Sequence, residues 1–388
     1  MSSTNTPQHP WYPTPVLFDR VNNQFIYWDG DQNQVAPINV MAVQTALTIS
    51  STSGTYGSVL TLTVSGGTTS GAVTYSIVNA GSADAVLTGG GTTLTAGTSG
   101  TATIIATMAG DTDHIPVSSA VTTITFVKEA QGALTLTSTS GTYGTPLTLT
   151  SSGGSGTGAK TYVVTSAGTA GATLTNAGTK VTAATSGTCT VTATKAADVD
   201  YSAVSSTATT ITFAGQAQGT LTLTSISGTY GTPVTLSSSG GTGTGATTYL
   251  VTSAGSAGAT LTGGGTTVTA ATAGTCTVTA TKAADTHYAT VSSTATTITF
   301  AKAAQGALTL TSTAGPQSSP LTMASSGGSG TGAVTYAVTT TGTAGATLTD
   351  GGTTVTAATT GTCTVTATKA TDTNYLVVSS SATTVTFS

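Results

Sequence analysis

Charge is scarce in this chain: 12 acidic and 8 basic residues among 388, for a net charge of −4. The lysines and the single Arg20 are scattered one at a time. Without a cluster of cations to displace counterions from phosphate, nucleic acid is excluded as a partner. Long hydrophobic runs are missing as well. Apolar residues make up 37% of the chain but alternate with threonine, and no stretch reaches the roughly 20 residues of a membrane-crossing helix. Membrane insertion is therefore not expected. Histidine is nearly absent, with only His9, His114 and His287. A hydroxyl nucleophile needs a base within hydrogen-bond reach, and these three fall at unrelated positions, so no enzyme, cofactor or metal centre is expected. The opening Met-Ser-Ser-Thr-Asn-Thr-Pro-Gln-His-Pro has neither a basic leader nor an apolar core, so no export signal is expected at this end.

What is present is an error-free period. Phe126, Phe213, Phe300 and Phe387 are spaced by 87 residues, as are Tyr56, Tyr143 and Tyr230, and Asp111, Asp198, Asp285 and Asp372. A fixed step of this length marks one folded unit duplicated in tandem. The units are placed at 46–132, 133–219, 220–306 and 307–388, after an aromatic-rich segment at 1–45. In the second unit seven extended runs are predicted, at 133–139, 146–151, 159–165, 172–175, 179–184, 187–195 and 205–213. β-branched threonine and valine favour strands, and glycine-rich clusters such as Gly153-Gly154-Ser155-Gly156 punctuate them. Each strand has one apolar face that needs a second sheet. The fold class is all-β, four antiparallel β-sandwich domains preceded by a short extended or hairpin segment.

Cys189, Cys276 and Cys363 occupy one equivalent site. One thiol per unit cannot form a bridge within a unit, and alternation places Cys189 on the face of Val191 and Ala193, so a buried apolar role is expected. Gly153 to Lys160 has the glycine content of a phosphate loop but lacks the Gly-Lys-Ser/Thr ending. Asp29-Gly30-Asp31-Gln32-Asn33 imitates the start of a calcium loop, yet Gln34 stands where glycine is required and Val40 where the bidentate glutamate belongs. Both are expected to be turns. Asp198 and Tyr201 recur as Asp285/Tyr288 and Asp372/Tyr375, with His114 replacing the ring in the first unit. They are expected to form a corner in which the ring packs and its hydroxyl bonds nearby backbone.

Gly-Thr-Tyr-Gly-Thr-Pro at 141–146, Ser-Gly-Thr-Cys-Thr-Val-Thr-Ala-Thr-Lys-Ala-Ala-Asp at 186–198 and Tyr201 resemble the Thr/Gly-rich immunoglobulin-like repeats found in tandem in bacterial surface proteins and phage virion proteins. The resemblance covers residues 46–388 and implies immunoglobulin-like sandwiches; such modules serve as stalks, decorations and adhesins alike. Short linkers between them imply a semi-rigid string extending on the order of 150 Å, at about 3.3 Å per strand residue.

The first 40 residues hold six of the twenty Phe, Trp and Tyr residues: Trp11, Tyr12, Phe18, Phe25, Tyr27 and Trp28, together with Arg20. So short a segment cannot bury these rings alone, and aromatic residues with arginine dominate protein interfaces. These seven residues are expected to dock on another protein or on sister chains; folding back onto the first unit is the alternative. Residues 16–30 read as a hairpin bending at Asn22-Asn23. They resemble a short module of phage tail-fibre and virion appendage proteins, in which a Phe-Asp strand leads through an Asn-containing turn to an aromatic-Trp-Asn/Asp-Gly strand. Here Gln32 to Val35 stand in place of that module's second tryptophan. The resemblance implies a virion fibre or decoration held through residues 1–45 to a capsid, neck or tail protein, with the repeats touching cell-surface glycans. The other reading is an extracellular, cell-surface adhesin or matrix stalk.

Overall fold

A computed structural model of the chain describes residues 16–19, 24–28 and 34–388. Trp11, Tyr12, Arg20 and the Asn22-Asn23 bend lie outside the described residues. Four hydrophobic cores follow one another along the chain, spanning Leu47 to Phe126, Leu134 to Phe213, Leu221 to Phe300 and Leu308 to Phe387. Each contains its closing phenylalanine, 1–2% exposed. The chain is a tandem array of four immunoglobulin-like β-sandwiches, domains 1 to 4.

Domain 2 shows the plan. The strand Leu134–Leu136 pairs antiparallel with Ser151–Gly153, and the chain then crosses over so that Ser140–Thr142 pairs parallel with the closing strand Thr209–Ala214. Beyond the closing strand lies the long central strand Gly187–Lys195, flanked on its far side by Lys160–Ser166 and Val204–Ser205. A facing sheet joins Leu147–Thr148, Lys180–Thr182 and Thr173–Thr175. The sandwich is therefore not purely antiparallel; the expected run at 133–139 is a strand only at Leu134–Leu136, and Ser140–Thr142, just beyond it, belongs to the other sheet. A bend at Thr137 to Thr139 lets one segment serve both layers, the device by which sandwich corners are built. The crossover leads to Gly141, where a Cβ would lie 2.8 Å from Cε1 of Phe213. Glycine there lets the ring close the core.

Strict alternation along Gly187–Lys195 buries Cys189, Val191 and Ala193 at 0–2% exposure. The threonines between them form the outer face, where hydroxyls bridge strands, as in Thr165 to Thr190 at 2.8 Å. The cysteines are free and buried, and burial pushes each thiol above its ordinary pKa. A thiolate is the reactive form. Ellman's reagent is thus expected to find no fast-reacting thiol in the native chain and all three in denaturant; rapid native labelling would contradict the burial.

The amino-terminal segment is more than a hairpin. Val16–Asp19, Gln24–Trp28 and Gln34–Asn39 form a three-stranded antiparallel meander. Phe18 stands opposite Phe25 in register, with ring centroids 5.0 Å apart. Leu17 remains 61% and Phe18 40% exposed. Among the described residues, every side chain packed into or against the domain 1 core comes from Leu47 to Phe126, none from this meander.

Candidate functional site

The repeated polar and aromatic residues converge at the joints between domains. Each linker seats into a loop of the domain that follows it. Glu129 N–H donates to the carbonyl of Asp200 at 2.9 Å, and the Glu129 carbonyl accepts from Ser202 N–H at 2.8 Å. Gln216 makes the same pair of bonds with His287 and Ala289, and Ala303 with Asn374 and Leu376. Ala42 does so with Asp113 and Ile115. The amino-terminal meander therefore enters domain 1 through the seat that elsewhere receives a preceding sandwich.

A buried or half-buried glutamine fixes each linker two residues on. Gln131, 8% exposed, donates through Nε2 to the carbonyls of Ala196 and Ser202 at 3.1 and 2.8 Å, and its Oε1 accepts from Gly156 N–H. Gln44 and Gln218, one period to either side, and Gln305, two periods on, make corresponding bonds. Such a side chain satisfies backbone groups that a buried loop otherwise orphans.

The loop itself is drawn together by the repeated aspartate. Asp198 Oδ1 accepts from the N–H groups of Asp200 and Tyr201 at 3.0 and 2.9 Å, while Oδ2 accepts from the N–H and hydroxyl of Thr157. These bonds favour the charged form, that from Thr157 N–H most, and lower the pKa to about 2. Asp372 is lowered to about 2 and Asp285 further, each chiefly by the equivalent threonine N–H. In domain 1 the equivalent Asp111 is lowered mainly by Asp113 N–H, and its Oδ1 also lies 3.0 Å from Nδ1 of His114.

A carboxylate whose pKa falls on folding contributes stability fully above its unfolded value of about 3.9 and loses it as pH drops through the folded value. The seats are therefore expected to be intact at pH 5 and to loosen between about pH 4 and 2. Near-UV circular dichroism of the joint tyrosines reads this. A transition centred above pH 5 would contradict it.

The expected tyrosine corner is not what forms. Tyr201 makes no hydroxyl bond to neighbouring backbone among the described residues; its ring instead meets Tyr56 of the preceding domain edge-on, with centroids 5.6 Å apart at 85°. Tyr230 and Tyr375 repeat this at 5.5 Å and 86°. At the middle joint Tyr143 meets both Tyr288 at 6.5 Å and His287 at 4.6 Å. The ring is needed by the neighbouring domain rather than by its own. This accounts for His114 in domain 1, which no sandwich precedes among the four. In domain 4 Gln317 replaces the tyrosine, and its side chain turns back to the Ala358 carbonyl at 3.1 Å.

Further polar bonds cross each joint. Ser99 N–H donates to Oδ1 of Asp200 at 2.8 Å, Ser186 N–H to the carbonyl of Thr286 at 2.7 Å, and Ala273 N–H to Oδ1 of Asn374 at 2.9 Å. Lys128 reaches the carbonyl of Asp198, and Lys302 the hydroxyl of Thr371. Sequence reasoning found the Asp/Tyr pairs but not the glutamines or the residues at 200, 287 and 374. The glutamines were visible as a further 87-residue series. The others change identity from unit to unit and so left no periodic signal.

Of the expected docking residues, the described ones are divided. Phe18 and Phe25 form a pair on the meander, whereas Tyr27 and Trp28 are placed by backbone alone, opposite Val35 and Gln34. Asp29 to Asn33, the calcium-like stretch, lies outside the described residues. No helix among the described residues is long and apolar enough to cross a membrane.

No protein-family model and no curated protein matches this chain. Among solved structures, the Escherichia coli adhesin FdeC is 18% identical, covering 68% of this chain and 99% of its own, with a TM-score of 0.25. The human desmocollin-1 ectodomain is 9% identical over 95% of this chain and 86% of its own, at 0.27. The eight amino-terminal immunoglobulin domains of Down syndrome cell adhesion molecule are 11% identical over 94% of this chain and 52% of their own, at 0.29. With TM-scores this low, the fold assignment stands on the strand order and register described above.

Proposed function

We infer that this chain is a surface-displayed adhesion rod without catalytic activity: an amino-terminal foot grips a carrier, and four sandwiches extend from it to make weak contacts with another surface. The joints are the observation that supports this most. Three linkers are seated, bonded and capped by paired rings in the same way, which suits a chain built for reach rather than for enclosing a substrate. Sparse charge makes such contacts tolerant of salt, and repetition multiplies weak contacts through effective concentration.

The carrier in the leading reading is a bacterial cell surface or its matrix. A virion is the second reading. It is favoured by one observation: Val16–Asp19 and Gln24–Trp28 pair as the two strands that the appendage-like motif requires. In either case Trp11, Tyr12, Phe18, Arg20, Phe25, Tyr27 and Trp28 supply the grip, against an envelope component or a capsid, neck or tail protein.

Deleting residues 1–40 tests this. The remaining chain is expected to keep its β circular dichroism yet be lost from washed cells or purified particles. Undiminished retention overturns the role of the foot, and neighbouring genes for secretion or for capsid proteins distinguish the carriers.

A further inference from the structure

We propose that the cleft between domains 3 and 4 is a binding subsite for a neutral saccharide; the idea rests on the adhesion reading and gives it a chemical address. The cleft holds about 430 Å³, within the range of small-ligand sites. Tyr230 and Thr272 line it from domain 3, and Thr331, Asp372, Asn374 and Tyr375 from domain 4. The two rings meet at 86°. In such an edge-on pair one ring has both faces uncovered by its partner, which suits the apolar C–H face of a sugar.

The polar groups are sorted by what already occupies them. Asn374 Oδ1 is held by Ala273 N–H at 2.9 Å, which orients the amide and leaves Nδ2 as a fixed donor. Among the described residues, Asn374 Nδ2 and the hydroxyls of Tyr230 and Tyr375 make no hydrogen bond within the protein. Asp372 is the only charged residue lining the cleft. It accepts from Thr331, Asn374 and Tyr375, and its negative charge opposes acidic ligands. Free hydroxyls, a fixed amide donor, two half-buried rings and no cation among the lining residues together fit an uncharged polyol ring and oppose phosphate or uronic acid.

The other joints share the frame but not the centre. His287 takes the place of Asn374 at the middle joint and meets Tyr143 edge-on, with ring centroids 4.6 Å apart. Asp200 takes it at the first and brings a second carboxylate beside Asp198. A constant frame around a varying central residue is the pattern expected where that residue sets specificity.

The test uses the full chain and saturation-transfer difference NMR with cellotriose, maltotriose and chitotriose, and with trigalacturonate as the acidic control. At least one neutral trisaccharide is expected to receive saturation on its ring protons, and trigalacturonate none. The variant Asn374→Asp keeps the acceptor for Ala273, as Asp200 does for Ser99, but removes the donor and adds charge. It is expected to weaken the neutral ligand at least about tenfold, with Tyr56→Ala at the distant joint leaving binding unchanged. Absence of transfer from all three neutral trisaccharides, or an unaltered response in Asn374→Asp, overturns the proposal. Retention of the foot-deleted chain is scored separately, so the subsite and the adhesion reading stand or fall independently.

Discussion

Replacing Tyr56 or Tyr230 with alanine is expected to open the adjoining linker to trypsin while all four sandwiches stay folded. Each ring contributes an edge-on contact worth about 0.5–1.5 kcal/mol beyond the area it covers. Losing about 1–2 kcal/mol raises the population of the opened joint by a factor of roughly 5–30. The linkers carry their own reporters. Lys128 lies in the first and Lys302 in the third, whereas the second, Ala214 to Gly219, has no lysine or arginine. Tyr56→Ala should therefore yield cleavage at Lys128, Tyr230→Ala at Lys302, and Tyr143→Ala no new fragment. Equal resistance in all three variants would mean that the rings decorate the joint without holding it.

The second large effect is confined to one sandwich. Phe213 is 1% exposed and fills the core beneath Gly141 and against Leu147 and Ile211. Truncating a buried phenylalanine to alanine costs about 3–5 kcal/mol. That is a large part of the roughly 5–15 kcal/mol that holds a domain together. For a unit of this size each kcal/mol moves the midpoint by about 4–8 °C, so domain 2 should melt some 12–40 °C early in Phe213→Ala. Calorimetry is expected to show one displaced transition and the rest in place, because the four cores share no buried residue. A single cooperative shift of the whole trace would show instead that the joints couple the domains into one folding unit.

These contrasts show which features a sequence can carry. The sandwich was legible because its causes are local and periodic: Cys189, Val191 and Ala193 alternate with threonine, and glycine marks the turns. The crossover at Thr137 to Thr139 was not: the inward face shifts there from Leu134, Leu136 and Ser138 to Gly141, and a glycine has no apolar side chain to reveal the shift. Tyr201 was recognised as structural but assigned to the wrong partner. Nothing in its own unit distinguishes a ring that packs inward from one that meets Tyr56 of its neighbour. The distinguishing signal lay in the exceptions. His114 in domain 1 and Gln317 in domain 4 are the two departures from the pattern, and neither position has a partner ring in another of the four sandwiches among the described residues. The aromatic segment before domain 1 was legible as composition and as its first two paired strands, whereas its third strand, Gln34–Asn39, carries none of the enrichment that marked them.

Solution scattering from the intact chain tests the extended, seated array most directly. A rod on the order of 150 Å long has a radius of gyration of about 40 Å, whereas 388 residues folded as one compact body would give about 21 Å. The account predicts the larger value with a distance distribution trailing to the full length. A radius near 21 Å, with the domains folded against one another, would contradict it.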